Sequence, residues 1–438
     1  MIERERFASR LGMVLSMVGV AVGLGNVWRF PYMLGSFGGG AFLLVYLVAA
    51  LGVGVPALMA EWALGRHTRR GTVGAFERGG LPGGRLVGWF FFAVVTAATA
   101  YYVNVIGWVA WHGLVELGTP FGRPLAGGWI LPPESGVSLR SLLLQGGCTA
   151  AVVGSCALVL LRGLRRGIER ASAVLTPLLF LGLLVLVVRS LTLPGAGRGV
   201  RWLLAFDPTL ITPSVALAAL SQVVFSLALG GTFMVVYGSY LDEGEALGSG
   251  AVLTVLGDTA AGLLAALAVV PAVFALGMEP GSGPGLLFAT LPEVLGRVPA
   301  GWAVAAVFFV ALGGAAFLSA VAAFEVLVAG LTDNTRASRP RAVAWTAGAV
   351  LLLAIPPMVN MKIFVPWDLT FGSGMQTLGA LVAAVTFGWS LDRGTALREL
   401  ASGSPRALHR ALHLWIRFVV PGAILAVGAW WVATSLLS

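Results

Sequence analysis

Long, nearly uninterrupted apolar runs dominate the chain. Eleven of them fall near residues 11–34, 39–65, 86–117, 141–161, 167–190, 213–240, 247–277, 300–331, 342–360, 367–391 and 415–437. A run of about 18 or more apolar residues reads as a helix that crosses a membrane. Only helices or closed barrels satisfy their backbone polar groups in lipid. Barrel strands show as alternating segments of roughly 10 residues, and these runs are longer and do not alternate. The pattern predicts an all-α integral membrane protein with eleven spans. Several runs exceed the roughly 20 residues needed to cross, which predicts tilt or extension beyond the bilayer.

Composition agrees. The chain is 58% hydrophobic and 11% charged, against about 25% charged in a soluble domain. The net charge of +9 would suggest nucleic acid in a soluble protein. Here the arginines fall in loops, and no basic run is interleaved with aromatics, so no nucleic-acid partner is expected. Twenty of the 28 basic residues lie on the side that carries the N-terminus and seven on the other. That bias predicts a multi-pass protein of the plasma (inner) membrane, with the N-terminus cytoplasmic and the C-terminus extracytoplasmic. The acidic loop Asp242–Glu245 is a minor exception. The charged start, MIERERFASR, has no small-residue cleavage site, so no signal peptide is expected. Cys148 and Cys156 sit eight apart in one apolar run, which fits helix packing. No soluble domain is expected. The longest loop, around 392–414, holds an amphipathic stretch (Ala396–Trp415) that suits the membrane interface, with His409 and His413 on its basic face.

Two runs are unusual. The first contains GVAVGLGN (Gly19–Asn26) and the sixth LALGGT (Leu227–Thr232). A glycine inside a helix weakens it by about 0.8–1 kcal/mol relative to alanine. Glycine clusters in corresponding runs five apart point to discontinuous helices in a transporter. Tight small-residue packing is the competing reading, and the Gly19-to-Gly23 spacing supports it. Polar groups bear on the choice. Asn26 and Arg29 follow the first cluster, and Gln222 and Ser226 precede the second. Glu61, Asp258, Ser319 and Glu325 lie in other runs. A charge at mid-bilayer costs at least about 2.5–3.5 kcal/mol, so such groups mark a polar pathway. At a helix break, freed carbonyls suit a hard cation, and freed amides at a positive helix end suit a carboxylate. One break therefore offers both poles that Na⁺ and a zwitterionic amino acid require, and oxygens of Asn26, Ser226 and Asp258 would complete an ion shell.

At these residues the chain resembles a known family. The stretch RLGMVLSMVGVAVGLGNVWRFPYMLGSFGGGAFLLVYL (Arg10–Leu47) resembles the first-helix signature of neurotransmitter:sodium symporters, particularly their bacterial, LeuT-like, eleven-helix branch. EWALGR (Glu61–Arg66), YYVNVIGW (Tyr101–Trp108), RGIERASAVLTPLLF (Arg166–Phe180), VRSLTLPGAG (Val188–Gly197) and GPGLLFATLPEV (Gly283–Val294) match further along. The resemblance implies the LeuT fold in a single transporter domain, 1–438. Two inverted five-helix repeats, 11–190 and 213–391, would be followed by a peripheral helix at 415–437. It implies a sodium-coupled secondary active symporter that imports an amino acid by alternating access. A proton-coupled or non-concentrative carrier, or a sensor, with the same fold is the alternative.

The resemblance also implies residue roles. The substrate carboxylate meets the amides of Leu24 and Gly25 and the hydroxyl of Tyr102. The first sodium site uses the Ala21 carbonyl, Asn26, Ser226, Asp258 and the substrate carboxylate. The second uses carbonyls of Gly19, Val22 and Ala315 with Ser319. Leu318 stands where relatives place Thr or Asp, so that site loses an oxygen and sodium is held weakly there or not at all. Asp258 stands where animal relatives have Asn, and its charge implies no chloride requirement. Phe225 matches an aromatic lid beside Tyr102. Ala228, Gly231 and Ala323 stand where relatives carry larger groups, which suggests a wider pocket for a bulky hydrophobic or aromatic L-amino acid. Phe233, Phe317 or Phe324 refilling that space for a small substrate is the other possibility. Ser319 also borders the substrate. The outer gate pairs Arg29 with Asp368. The inner lock joins Arg4 to Asp333, assisted by Ser239 and Tyr240, with Phe7 as plug. Glu61 and Glu325 are expected to hydrogen-bond the unwound part of span 6 and neighbouring helices. The four histidines lie in loops or at span ends, and no nucleophile–base or Walker sequence occurs, so an enzyme or ATP-driven pump is not expected. Nothing in the sequence sets an oligomeric state.

Overall fold

The computed structural model describes residues 4–122, 126–275, 300–401 and 406–436. The GPGLLFATLPEV match lies outside the described residues. Among those described, every regular element is helical. Nine helices are long and apolar enough to cross a membrane: Gly40–Thr68, Gly84–Phe121, Leu139–Leu161, Leu164–Leu191, Leu247–Ala275, Gly301–Asn334, Arg339–Val359, Met361–Ser390 and His409–Trp430. These are spans 2–5 and 7–11. Span 1 is the pair Arg10–Ala21 and Gly25–Ser36, bent by 57°. Span 6 is the pair Pro213–Ser226 and Phe233–Gly238. Together they match the eleven runs of the hydropathy pattern.

The ends of the broken helices are set by local chemistry. The Gly12 amide donates to the Ser9 hydroxyl at 3.0 Å, which caps span 1. Thr212 caps span 6 just before Pro213, where a missing N–H costs nothing. Span 2 widens to π geometry over Ala50–Gly54, immediately before Pro56. The freed Gly52 carbonyl accepts the Trp415 indole N–H at 2.7 Å, which pins span 11 against span 2.

Burial sorts the spans. The apolar stretches of spans 2, 3 and 8 are each 61% buried inside the protein, against 28% for span 4 and 33% for span 11. Spans 4 and 11 therefore face lipid, and the centre is built from spans 1, 3, 6 and 8. Both helix breaks lie in that centre.

Candidate functional site

The two breaks face each other. Helical hydrogen bonding in span 1 stops after Val22, whose amide donates to Val18, and resumes when Asn26 and Val27 donate to the Gly23 carbonyl. Between them, the Leu24 amide hydrogen-bonds the Tyr102 hydroxyl rather than a helix carbonyl. In span 6 the break passes through Ala228 at φ +50° and Gly231 at φ +65°. A non-glycine residue in that region is strained, and such strain collects where structure serves function. Glu61 holds the break open: its Oε1 accepts the Gly230 and Gly231 amides at 3.1 and 2.9 Å, as expected of it.

One polar cluster joins spans 1, 2, 6 and 7. The Asn26 amide donates to Asp258 Oδ1 at 2.6 Å and to Ser226 Oγ at 2.9 Å. Ser226 donates to both Asp258 oxygens at 2.9 Å, and Tyr46 donates to Oδ2 at 3.1 Å. Asn26, Ser226 and Asp258 are buried. Three donors converge on this one buried carboxylate. The three side chains read from the sequence as a cation site thus lie together, with the Asn26 NH2 turned to Ser226 and Asp258 and its Oδ1 accepting the Gly23 amide at 3.2 Å.

Above the cluster lies a cavity of about 80 Å³ bordered by Ala21, Leu24, Tyr102, Phe225, Ser319 and Ala323. The glycines of span 1 let these groups reach the backbone. A Cβ on Gly23 would lie 2.7 Å from Ser319 Oγ and 3.0 Å from the Tyr102 hydroxyl, and one on Gly25 would lie 2.7 Å from Phe225. The cavity opens into a second one of about 690 Å³ that Trp28, Arg29, Tyr32 and Asp368 border. Leu24, Gly25, Tyr102 and Phe225 line both.

Two expectations are corrected here. Gly231 does not border the small cavity. A Cβ on it would lie 2.5 Å from the Gly379 carbonyl, so its missing side chain makes room for span 10 instead. Phe233, two residues on, lines the cavity while Phe317 and Phe324 do not, so one of the trimmed walls is refilled. Ala228 and Ala323 do line it. Arg29 and Asp368 make no ion pair in this structure. The Arg29 guanidinium lies 4.5 Å from the Phe225 ring centroid and donates to Ser221 Oγ at 3.2 Å. The large cavity lies between the two gate residues, and the cation–π contact holds the arginine on one wall of it.

The second expected cation site is altered around Leu318. Ser319 Oγ donates to the Val20 and Val22 carbonyls at 3.3 and 3.5 Å. Ala315 lies one turn before Ser319 on span 8, and buried Leu318 packs against Gly19, its Cδ1 2.9 Å from where a Cβ would sit. The hydroxyl of Thr176, from span 5, lies 3.0 Å from the same Cβ position and donates to the Leu15 carbonyl at 3.2 Å. Thr176 was not anticipated, because nothing in its apolar surroundings marks it. Gln376 was also missed. It lines both cavities from span 10 and makes no hydrogen bond among the described contacts.

At the N-terminal face the lock is closed as expected. Arg4 donates to Asp333 at 2.6 and 2.7 Å and to Ser239 at 2.9 Å, and lies 4.9 Å from the Tyr240 ring centroid. Burial lowers the Arg4 pKa, but Tyr240 and Asp333 outweigh it and leave it above its ordinary value. Asp333 also accepts the Gly71 amide at 2.6 Å. Phe7 packs edge-on against Tyr240, with ring centroids 6.3 Å apart. Glu325 is met by the Tyr240 hydroxyl and by Arg339.

Comparison with known proteins agrees with this architecture. A family model described as the sodium:neurotransmitter symporter family matches residues 4–121 and 145–365. An uncharacterized sodium-dependent transporter of Bacillus subtilis, YhdH, is 33% identical over 96% of each chain. Another from Methanocaldococcus jannaschii, MJ1319, is 37% identical over 81% of this chain and 75% of its own. The crystal structure of MhsT in complex with L-phenylalanine superposes with a TM-score of 0.84 at 34% identity, covering 97% of this chain and 99% of that one. These are transporters of the LeuT fold and not enzymes. The chain is a multi-pass membrane protein, a sodium-dependent transporter, and it belongs to the sodium:neurotransmitter symporter family.

Proposed function

We propose that this transporter couples Na⁺ entry to import of a bulky hydrophobic or aromatic L-amino acid by alternating access. The observation that carries the reading is the pair of facing breaks. The amides of Leu24, which bonds the Tyr102 hydroxyl, and of Gly25 border one cavity with that hydroxyl and offer a carboxylate site there. The Asn26–Ser226–Asp258 cluster beside them offers the oxygens of a cation site. The Ala21 carbonyl and the substrate carboxylate complete that site, so each ligand raises the affinity for the other. Aromatic walls from Tyr102, Phe225 and Phe233 suit a flat or branched apolar side chain. A relative solved with L-phenylalanine supports the substrate class.

The second sodium site, at the Gly19, Val22 and Ala315 carbonyls with Ser319, is weak or absent because Leu318 brings no oxygen. Transport proceeds without chloride, since Asp258 supplies the negative charge itself. The chain lies in the plasma membrane as two inverted repeats, 11–190 and 213–391, with its N-terminus cytoplasmic and its C-terminus outside. The large cavity then opens outward while Arg4 and Asp333 close the inner face, and Arg29 and Asp368 approach when substrate is sealed in.

The test is uptake into proteoliposomes under an inward Na⁺ gradient or an inward pH gradient. Concentrative uptake of phenylalanine, tyrosine or tryptophan under the Na⁺ gradient alone is expected. Uptake driven by the pH gradient without Na⁺ would replace this reading with a proton-coupled carrier.

A further inference from the structure

Outside the transport path, the turn between spans 4 and 5 gathers three arginines. Arg162 ends span 4, while Arg166 and Arg170 open span 5, and these three side chains alone border one recess. All three are exposed. None makes an ion pair or a side-chain hydrogen bond among the described residues, although other surface arginines do, such as Arg6 with Asp242 at 2.7 Å. The nearby acids are committed elsewhere. Glu5 accepts the Leu164 amide at 2.7 Å. Glu169 accepts from the Ala8 amide at 2.9 Å and the Ser9 hydroxyl at 3.3 Å. Arg165, the remaining cation of the turn, donates to the Arg6 carbonyl at 2.8 Å.

Three like charges around one recess repel until an anion enters, and guanidinium forks match phosphate oxygens. The position sets the kind of anion. Just beyond the arginines, Leu158 and Leu161 on span 4 and Val174 and Leu178 on span 5 are exposed apolar side chains. On a membrane-spanning protein that surface meets acyl chains, so the recess sits at head-group depth. Basic recesses at span ends suit anionic lipid head groups.

We propose that Arg162, Arg166 and Arg170 bind the phosphate of an anionic phospholipid, and that its occupancy braces the N-terminal lock. The second half follows from the contacts on the other side of the same turn. Residues 164–169 hold the tail through Glu5, Arg6, Ala8 and Ser9. That tail carries Arg4 to Asp333. Fixing the turn from the lipid side lowers the freedom of the segment that closes the inner face. The inference rests on membrane placement and not on the substrate reading, so either can fail without the other.

The experiment uses the full chain in nanodiscs of phosphatidylcholine, alone or with about a quarter phosphatidylglycerol, followed by hydrogen exchange of residues 4–9 and 162–170. Phosphatidylglycerol is expected to slow exchange in both segments several-fold in the wild type. The effect should disappear in R162Q/R166Q/R170Q and persist in R336Q/R341Q, which removes two other exposed arginines. R166Q alone should show the same loss in smaller measure, which keeps the test intact if the triple variant misfolds. An unchanged response in the arginine variants overturns the site. Equal loss in the R336Q/R341Q control overturns it in favour of general charge attraction. Equal protection by inorganic phosphate in pure phosphatidylcholine overturns the lipid as its occupant.

Discussion

Asp258 is 232 positions from Asn26 in the chain and 2.6 Å from it in space. Its carboxylate is the only formal charge in the cluster with Asn26, Ser226 and Tyr46. Hydrogen bonds to charged groups contribute about 1.5–3 kcal/mol. D258N should therefore raise the Na⁺ concentration for half-maximal uptake by about ten- to a hundredfold. Wild-type uptake should be unchanged when gluconate replaces chloride, and any activity left in D258N should become chloride-sensitive. Leu318 supports a second prediction. L318T restores an oxygen beside Gly19, so the Hill slope for Na⁺ should rise from near one towards two. A wild-type slope of two would mean that the second site works without it. Gln376 supports a third, since its uncommitted amide borders the same cavity as Tyr102, Phe225 and Phe233. A site that hydrogen-bonds a polar group rejects the analogue that lacks it. Q376L should weaken tyrosine in competition assays by about tenfold, the scale of one such bond, and leave phenylalanine unchanged. The sequence displayed Asp258 as a charge in an apolar run, and Leu318 through the resemblance, which places Thr or Asp there. Gln376 escaped notice because a lone glutamine inside a span has many ordinary uses, and only the fold aims it at a cavity.

Among the elements, the breaks in spans 1 and 6 were legible as glycine clusters, and the structure shows why each glycine is there. Gly23 and Gly25 admit side chains from spans 3, 6 and 8, whereas Gly231 admits the backbone of span 10. A sequence records only that a side chain is absent. It cannot say whether a ligand or a neighbouring helix takes the room, which is why Gly231 was assigned to the pocket. The N-terminal pairing was legible through the resemblance, which joins Arg4 to Asp333 with Ser239 and Tyr240 beside them. Their pairing is mostly buried, with side-chain exposures of 12% and 14% for Arg4 and Asp333. Asp333 keeps its bond from the Gly71 amide without Arg4, so R4A should leave folding intact. It should speed hydrogen exchange in residues 5–9 by about fivefold, the equivalent of roughly 1 kcal/mol. No change in exchange would mean that the tail is held by Glu5 and Glu169 alone.

For the whole molecule, the proposed cycle reads the cavity of about 690 Å³ together with the Arg4–Asp333 pair as one of its states. In that proposal the contact between Arg29 and Asp368 belongs to another state, and a sequence does not say which pairs coexist. Spin labels flanking the cavity should report a shorter separation with Na⁺ and phenylalanine together than with either alone. In the proposed cycle span 10 would take part in that closure through the backbone meeting at Gly230 and Gly379, where a Cβ on Gly379 would lie 2.1 Å from the Gly230 carbonyl. Two main chains in such contact leave no compliant side chain between them. Phe225 and Gln376 lie within five residues of that contact on their own spans, so recognising the cargo and shutting the door would be one mechanical step.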